Sequence, residues 1–295
     1  MTTGRIDVRG SALSGRWHRS PALRLTLAVH LAGVLTLAVQ PALWAWVLTA
    51  LAANHLLLTL AVFWQRGSFL GPNLSRLSRA AAEGGRVVLT FDDGPDPDVT
   101  PQVLDLLDRY RMKASFFCIG LKAAAYPEIV REIARRGHSV ENHSHAHAHA
   151  FAFYGIGRLG REVDAAQAVI AAHAGHAPAF FRAPAGFRSP LLDPVLALRG
   201  LHYASWTRRC YDTVCRDPRV ALARLTRGLA AGDILLLHDG GSARTRDGEP
   251  MVLAILPSLL EKLASQGLRS VALPDCLVTH GPACQRAAVD GSALS

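Results

Sequence analysis

The sequence predicts an α/β fold built on a parallel sheet or barrel and preceded by a hydrophobic helical hairpin. One observation is a block of about 40 apolar, nearly uncharged residues at 23–64. The other is an alternation of short apolar runs with helical patterns from Arg86 onward. Strands that alternate with helices form parallel sheets or barrels, whose chemistry lies at the carboxyl ends of the strands. The polar residues at those ends are therefore the candidates for function.

The composition indicates a folded protein with an excess of basic residues. Of the 295 residues 50% are hydrophobic, and the formal net charge is +9, so a large core is possible. Many arginines flank the apolar block, which indicates a membrane surface rather than nucleic acid. The five cysteines form no CxxC pair, which argues against a disulfide scaffold or a thiolate zinc site. Pairing of Cys210 with Cys215 in an oxidising compartment stays open.

The apolar block at 23–64 predicts a membrane anchor of two helices. It is roughly twice as long as one spanning helix requires, and Arg24 is its only formal charge. Gln40 and Pro41 interrupt the run, because proline begins or breaks a helix. Apolar sequence continues through Trp64, whereas a signal peptide has a shorter hydrophobic region followed by a cleavage site. Two spans in a hairpin are therefore the predicted arrangement.

The arginines around this block predict its orientation in a bacterial-type inner membrane. They precede and follow the block, while its central turn has none, so the positive-inside rule places both flanks and the catalytic domain in the cytoplasm. Three polar residues inside the block, His30, Asn54 and His55, weaken the spans. Two alternatives stay open: a single span with a periplasmic catalytic domain, and a buried helical pair of a soluble domain.

The chain divides into five segments by composition. They are a basic N-terminal tail at 1–22, the membrane anchor at 23–64, a linker at 65–85, a catalytic domain at 86–275 and a C-terminal tail at 276–295. A short interfacial helix is predicted inside the linker at 74–82. In the catalytic domain, apolar runs predict strands at 86–91, 114–120, 180–184, 233–239 and 268–273. Helical patterns between them predict helices at 99–110, 122–136, 191–199 and 251–265.

The first candidate site residues follow the strand at 86–91. In the sequence TFDDGP this strand ends on Asp92 and Asp93, and the Gly–Pro pair turns the chain away from them. Adjacent carboxylates repel unless a cation or an arginine separates their roles, so a metal ligand beside a general base is a physical solution. A polar turn without function is the alternative for this motif alone.

The second candidate site is the histidine-rich stretch VENHSHAHAHAF. His143 and His147 are four residues apart, which would put both on one face of a helical turn where they could bind one metal. His145 and His149 have the same spacing, and surface histidines that bind nothing are the alternative. Two histidines with a carboxylate such as Asp93 form a common set of three protein ligands for zinc or another divalent metal.

Three more polar residues are candidates, and two of them, Arg182 and His238, follow apolar runs of predicted strands. Arg182 follows an apolar run and could pair with a carboxylate, either in a site or in a structural salt bridge. His238 ends the run ILLLH beside Asp239 and a glycine-rich loop, which favours a catalytic histidine over a core one. Asp212 in RRCYDTV is a weak signal by itself.

Together these motifs resemble the NodB-type polysaccharide deacetylase family over residues 86–274. TFDDGP resembles its first motif, NHSHAH its second, RAPAG its third and LLLHD its fifth, and the four occur in the family's order. The resemblance implies an irregular (β/α) barrel of the NodB-homology type. It also implies a metal-dependent hydrolase that removes an N-acyl group, usually N-acetyl, from an amino sugar.

The resemblance further implies a role for each matching residue. The base is Asp92 held by Arg182, the metal ligands are Asp93, His143 and His147, the acid is His238 tuned by Asp212, and the substrate pocket includes Leu236, Pro184 and Trp206. The family's fourth motif has tryptophan after its aspartate, whereas Thr213 follows Asp212 here. Trp206 is the candidate for the missing aromatic. His145 and His149 are then expected outside the metal site.

The implied cofactor is one divalent metal ion, with zinc as the first choice and cobalt, nickel or manganese as alternatives. The implied substrate is an amino-sugar glycan of the cell envelope or a polyprenyl-linked saccharide, met at a membrane lipid surface. No nucleic-acid partner is predicted, and the oligomeric state is left open. A catalytically silent carbohydrate-binding or scaffold protein on the same fold is the alternative, and the retention of Asp92 and His238 argues against it.

Overall fold

The computed structural model describes residues 20–277, and predictions for residues 1–19 and 278–295 lie outside this range. The described chain begins with two antiparallel helices and continues into a parallel α/β domain. Nearly all of the predicted basic N-terminal tail and C-terminal tail falls outside the described residues.

The apolar block forms a helical hairpin that breaks where the sequence predicts. Helix α1 spans Pro21–Val39 and helix α2 spans Trp44–Phe63, with a single 3-10 turn at Pro41–Leu43 between them. Both helices are long and apolar enough to cross a bilayer, and less than a fifth of either candidate span is buried. Thr26 and Asn54 hydrogen-bond across the pair at 3.3–3.4 Å. The hairpin is therefore present, and its insertion into a membrane stays a prediction.

From residue 86 onward, strands and helices alternate along the chain. The strands are β1 (Arg86–Asp92), β2 (Ala114–Cys118), β3 (Ser139–Asn142), β4 (Phe180–Phe181), β5 (His202–Tyr203), β6 (Arg208–Arg209), β7 (Ile234–His238) and β8 (Arg269–Ser270). The helices are α3 (Thr100–Arg109), α4 (Gly120–Ala125), α5 (Pro127–Arg135), α6 (Ile156–Ala174), α7 (Leu192–Ala197), α8 (Pro218–Thr226) and α9 (Met251–Ser265). The strands pair in parallel in the order β5-β4-β3-β2-β1-β7-β6, and β8 pairs with the start of β1. This curled parallel sheet confirms the predicted fold class.

The side chains of β1 alternate between the two faces of the sheet. Val87 and Phe91 are buried against the surrounding helices, whereas Val88 packs inside the barrel with other buried side chains. Because the side chains of a strand repeat with a period of two, Asp92 also faces the inside. The same alternation on β7 directs His238 inward. The fold therefore brings the two predicted proton-transfer residues to one end of the barrel interior.

A segment of the predicted linker lies between the two edge strands of the sheet, β5 and β6. β5 pairs with β4 and β6 pairs with β7, and only residues 204–207 separate β5 from β6. Chain from the predicted linker covers the gap, since Leu74 pairs with Ala204 and Leu77 is buried inside the barrel. The short helix predicted at 74–82 is therefore wrong. Leu74 and Arg76 form β-bridges with Ala204 and Asp233, and the backbone oxygen of Leu74 accepts from the amide of Ser205, so this carbonyl is not available to start a helix.

Several other elements differ from their predicted boundaries. The helix predicted at 122–136 is two helices, because Tyr126 has a non-helical backbone before Pro127 starts α5. The helix predicted at 191–199 is the shorter α7. The sequence does not predict α6, whose many alanines and glycines blur its apolar pattern. Strands β5 and β6 have two residues each, too few for alternation to show.

Glu141 is a buried carboxyl that ties β3 to the start of β4. It accepts hydrogen bonds from the backbone amides of Ala179 at 2.9 Å and Phe180 at 2.8 Å. Burial raises the pKa of its carboxyl from 4.5 to about 7. Between these pH values the folded chain keeps a proton that the unfolded chain has released, so stability falls as pH rises through this window. The full effect is about 3 kcal/mol.

We expect Glu141→Gln to remove this part of the pH dependence, because a glutamine oxygen can still accept from the two amides without carrying charge. Urea unfolding at pH 5 and pH 8 measures the free energy of unfolding of both proteins. The wild-type free energy of unfolding should fall between the two values by more than that of the variant. An identical fall in both proteins would contradict a protonated Glu141.

Candidate active site

The first motif places two carboxylates at the mouth of the barrel. Asp92 ends β1, and Asp93 follows with a left-handed backbone, φ 69°. Lys122 donates a 2.7 Å hydrogen bond to the backbone oxygen of Asp93. Gly94 comes next, where a Cβ would overlap the carboxylate of Asp239. These contacts fix the turn, and the two neighbouring carboxylates take different partners.

Asp93, His143 and His147 converge as the sequence predicts. Oδ1 of Asp93 lies 3.2 Å from Nε2 of His143 and 3.0 Å from Nε2 of His147. Among the described residues these three form a group whose ligand atoms all lie within 4.8 Å of one another. His143 is buried, whereas the side chains of His147 and Asp93 are 23% and 20% exposed. The cluster is therefore held from one side and open on the other.

The helical turn predicted from the spacing of the two histidines is not present. Residues 143–147 form no helical turn; Ser144 and His147 have left-handed backbones with φ of 63° and 49°. The Asn142 side chain accepts a hydrogen bond from the amide of Ser144, whose hydroxyl accepts one from the amide of His147. A tight loop stabilised by these side chains brings the imidazoles together, with their ring centroids 4.9 Å apart.

The donor chemistry of the cluster fits a metal cation. Nδ1 of His143 lies 2.8 Å from the backbone oxygen of Arg182, which can only accept, so this nitrogen carries the proton. In the neutral ring Nε2 then presents a lone pair toward the carboxylate of Asp93, and a cation bound between the two would satisfy both acceptors. Burial alone would raise the pKa of Asp93, but its contacts with His143 and His147 lower that pKa well below its usual range. The carboxylate is thus ionised, as a metal ligand must be.

Asp92 is bound by a buried arginine. Its Oδ1 accepts a 2.6 Å hydrogen bond from Arg182, whose side chain is fully buried. The same guanidinium also donates to Thr90 and to the backbone oxygens of Ala204 and Ser205. Oδ2 of Asp92 lies 3.8 Å from Nε2 of His143. Arg182 therefore holds one carboxylate oxygen and leaves the other beside the metal cluster.

His238 ends β7, in register with Asp92 on the neighbouring strand β1, and is oriented by Asp212. Nδ1 of His238 lies 2.8 Å from Oδ1 of Asp212, and its backbone amide donates to Oδ2 at 2.7 Å. Burial would lower the pKa of His238, but the charge and hydrogen bond of Asp212, with Asp92 and Asp93, raise it to about 9. Asp212 thus pairs with His238 although Thr213 replaces the tryptophan of the family motif.

The residues predicted for the substrate pocket lie in the barrel wall. Trp206 and Leu236 are both 2% exposed and belong to the buried cluster inside the barrel. The Trp206 ring centroid lies 5.6 Å from the guanidinium carbon of Arg182. Pro184 is buried in the 3-10 turn that follows β4. Cys210, whose thiol donates to the backbone oxygen of Leu236, is free, as is Cys215, so the disulfide alternative is not present.

The sequence does not single out several residues that support the site. Thr90 bonds Arg182, Asn142 shapes the histidine loop, and Lys122 holds the aspartate turn. Thr90 lies two residues before Asp92 on the same strand, so its inward direction could have been read from the alternation. Lys122 comes from a separate element and leaves no local signal.

His145 and His149 lie outside the metal cluster, as expected. The backbone of His145 bonds Glu162 and its ring packs beside Gly120, while His149 is exposed. We therefore expect His145→Ala and His149→Ala to keep most of the bound metal, with a loss of less than about tenfold in affinity. Metal analysis of the purified variants measures this. Loss of stoichiometric metal from either one would move the ligand set away from His143 and His147.

A family profile described as polysaccharide deacetylase matches residues 79–204. A peptidoglycan-N-acetylglucosamine deacetylase of Bacillus cereus is 31% identical over 193 residues, which are 65% of this chain and 87% of that protein. A chitooligosaccharide deacetylase of Azorhizobium caulinodans is 30% identical over 68% of this chain and 99% of its own length. The solved structure of a family 4 carbohydrate esterase from Streptomyces lividans, in complex with acetate, has a TM-score of 0.58 and 31% identity over 65% of this chain and 94% of that chain.

Proposed function

Because the chain belongs to the polysaccharide deacetylase family, we propose that it hydrolyses the N-acetyl group of an amino sugar in a metal-dependent reaction. One observation carries the proposal. An arginine-held carboxylate, Asp92, and an aspartate-held imidazole, His238, pair in register on β1 and β7, and Asp92 lies beside the cluster of Asp93, His143 and His147. A site with a base, an acid and a cation-binding set is suited to amide hydrolysis.

The chain's own residues account for the proton transfers. Asp92, oriented by Arg182, takes the proton from the attacking water. His238 is the acid: its Nδ1 is held by Asp212, so its Nε2 can donate a proton to the leaving amine, which would otherwise be too basic to depart. A divalent ion bound at the cluster supplies the Lewis acid that polarises the acetamide carbonyl and acidifies water.

We propose zinc as the metal. Two imidazoles and one carboxylate leave coordination positions open, as catalytic zinc sites do, and the same donors accept cobalt, nickel or manganese. The donor set is the support for this choice.

We further propose that the hairpin crosses a bacterial-type inner membrane and that the catalytic domain faces the cytoplasm. The support is the length of α1 and α2, their exposed apolar surface and the arginines on both flanks. The substrate is then an amino-sugar glycan or a polyprenyl-linked saccharide; in a periplasmic orientation it would be peptidoglycan or an exopolysaccharide. The curated relatives act on peptidoglycan and chitooligosaccharide by their names.

The experiment is an acetate-release assay with the purified full-length protein. We expect acetate from an N-acetylated chitooligosaccharide when a divalent metal is present, and none after treatment with a chelator. A chain that binds the oligosaccharide and releases no acetate with any of the four metals would instead support the silent carbohydrate-binding alternative.

A further inference from the structure

The C-terminal end of the hairpin touches both sides of the barrel mouth through one side chain. Gln65, two residues after α2, donates from Nε2 to the backbone oxygen of Ala185 at 2.8 Å. Its Oε1 accepts a 3.2 Å hydrogen bond from Arg209. Ala185 lies in the turn after β4, three residues beyond Arg182, and Arg209 ends β6. Gln65 therefore bridges the two loops that carry the third and fourth motifs.

Other contacts fix the same end of the hairpin to the mouth. The ring of Phe63 packs edge-on against Phe187 with centroids 5.1 Å apart, and Arg66 donates to the backbone oxygen of Thr207 at 3.1 Å. The start of α1 is tied to the same region, because the amide of Ala22 donates to a backbone oxygen just after α2. The rim of the active site thus lies next to the start of α1 and the end of α2.

Two arginines at this rim have no carboxylate partner among residues 20–277. Arg66 is exposed, and Arg209 is half-buried with its Nε buried and unbonded. Arg131 on α5 also has no carboxylate partner in this range, and what distinguishes the rim pair is its position and the buried Nε of Arg209. Partly buried guanidinium groups without a carboxylate partner are typical of anion-binding sites.

Arg209 lies on the same inner face of the sheet as the catalytic residues. Arg209 pairs in register with Leu236, whose side chain faces the barrel interior, so Arg209 lies on the inner face two positions before the level of His238. Its guanidinium carbon lies 5.3 Å from the ring centroid of Trp206 and 4.1 Å from that of Tyr211. An anion bound there would be next to a sugar in the catalytic site.

We propose that the substrate is an amino sugar attached through a phosphate to a membrane lipid, with the phosphate bound by Arg66 and Arg209. The proposal rests on the proposed deacetylase function and names its substrate class. The lipid lies along the end of the hairpin beside the rim, where the side chains of Leu60, Phe63 and Trp64 are exposed, Trp64 at 65%. A soluble polymer would use neither the unpaired cations nor the adjacent apolar surface.

Binding to the full-length protein in phosphatidylcholine nanodiscs tests this without relying on catalysis. The first probe is fluorescent N-acetylglucosamine linked through phosphate to an isoprenoid lipid, and the second is the same glycolipid without the phosphate. We expect Arg66→Glu to weaken binding of the first probe about tenfold or more, with a much smaller effect on the second. Arg66→Lys should retain most of the affinity, because lysine still supplies the charge.

Arg131→Glu is the matched control, since Arg131 is an exposed arginine on α5 and the same change there should alter neither affinity. Equal wild-type affinity for the two probes would overturn the proposal. So would full competition by phosphatidylglycerol at the same mole fraction, because the arginines would then bind bulk lipid. A protein that shows the phosphate preference and releases no acetate would keep this inference and refute the proposed function.

Discussion

Replacing Asp93 by alanine is expected to abolish both metal binding and acetate release. Its Oδ1 is the atom on which His143 and His147 converge, at 3.2 and 3.0 Å, so its removal leaves two imidazoles and no carboxylate ligand. Changes to residues that only support a ligand already cost about 10–100-fold in metal affinity, and loss of the ligand itself should cost more. Elemental analysis of the purified variant and an acetate assay measure the two effects.

Asp92→Asn is the matched control for this prediction. It removes a carboxylate one residue away that bonds Arg182, and it should keep the metal while acetate release falls by about 10²–10⁴-fold. Comparing the two variants distinguishes the loss of a metal ligand from the loss of a proton acceptor. Stoichiometric metal in Asp93→Ala would show that Asp93 is not a ligand, whatever the activity of that variant.

Asp212→Asn is expected to move the basic limb of the pH profile toward lower pH. His238 must be protonated to act as an acid, and its pKa of about 9 keeps it protonated at neutral pH. Activity of the wild type is therefore lost as pH rises through that pKa. Without the charge of Asp212, burial lowers the pKa of His238, so the loss should occur roughly one to three pH units earlier. The dependence of kcat on pH measures the shift.

Asp217→Asn provides the control, because Asp217 only caps the start of α8 and asparagine caps helices equally well. Its profile should overlay that of the wild type. If Asp212→Asn lowers kcat at every pH without moving the basic limb, Asp212 shapes the site but does not set the protonation of His238. That outcome would reassign the residue that corresponds to the family's fourth motif.

The candidate site could be anticipated to the extent that its residues sit at strand ends. Asp92, Arg182 and His238 each follow an apolar run, and parallel strands bring their carboxyl ends together whatever the connections between them. The histidine pair was identified by the motif resemblance, whereas its spacing suggested a helical turn that does not exist. The left-handed backbones of Ser144 and His147 depend on side-chain bonds that no periodic pattern records.

The closure of the barrel could not be anticipated in the same way. β5 and β6 are too short to leave a pattern, and each is defined by a different neighbouring strand. The segment at 65–85 reads as a linker because it mixes basic residues with Gly, Ser and Asn, yet Leu77 and Ala81 complete the interior. The contacts of Gln65 could not be predicted either, because its two partners lie 120 and 144 residues further along the chain.

The central claim is that one metal ion held by Asp93, His143 and His147 supports deacetylation. The most direct measurement is a titration of the metal-free, full-length protein with zinc while acetate release from an N-acetylated chitooligosaccharide is recorded. Acetate release should rise in proportion to added zinc and level off at about one equivalent per chain. Release that is already maximal without metal, or that stays absent after one equivalent has bound, would contradict the claim.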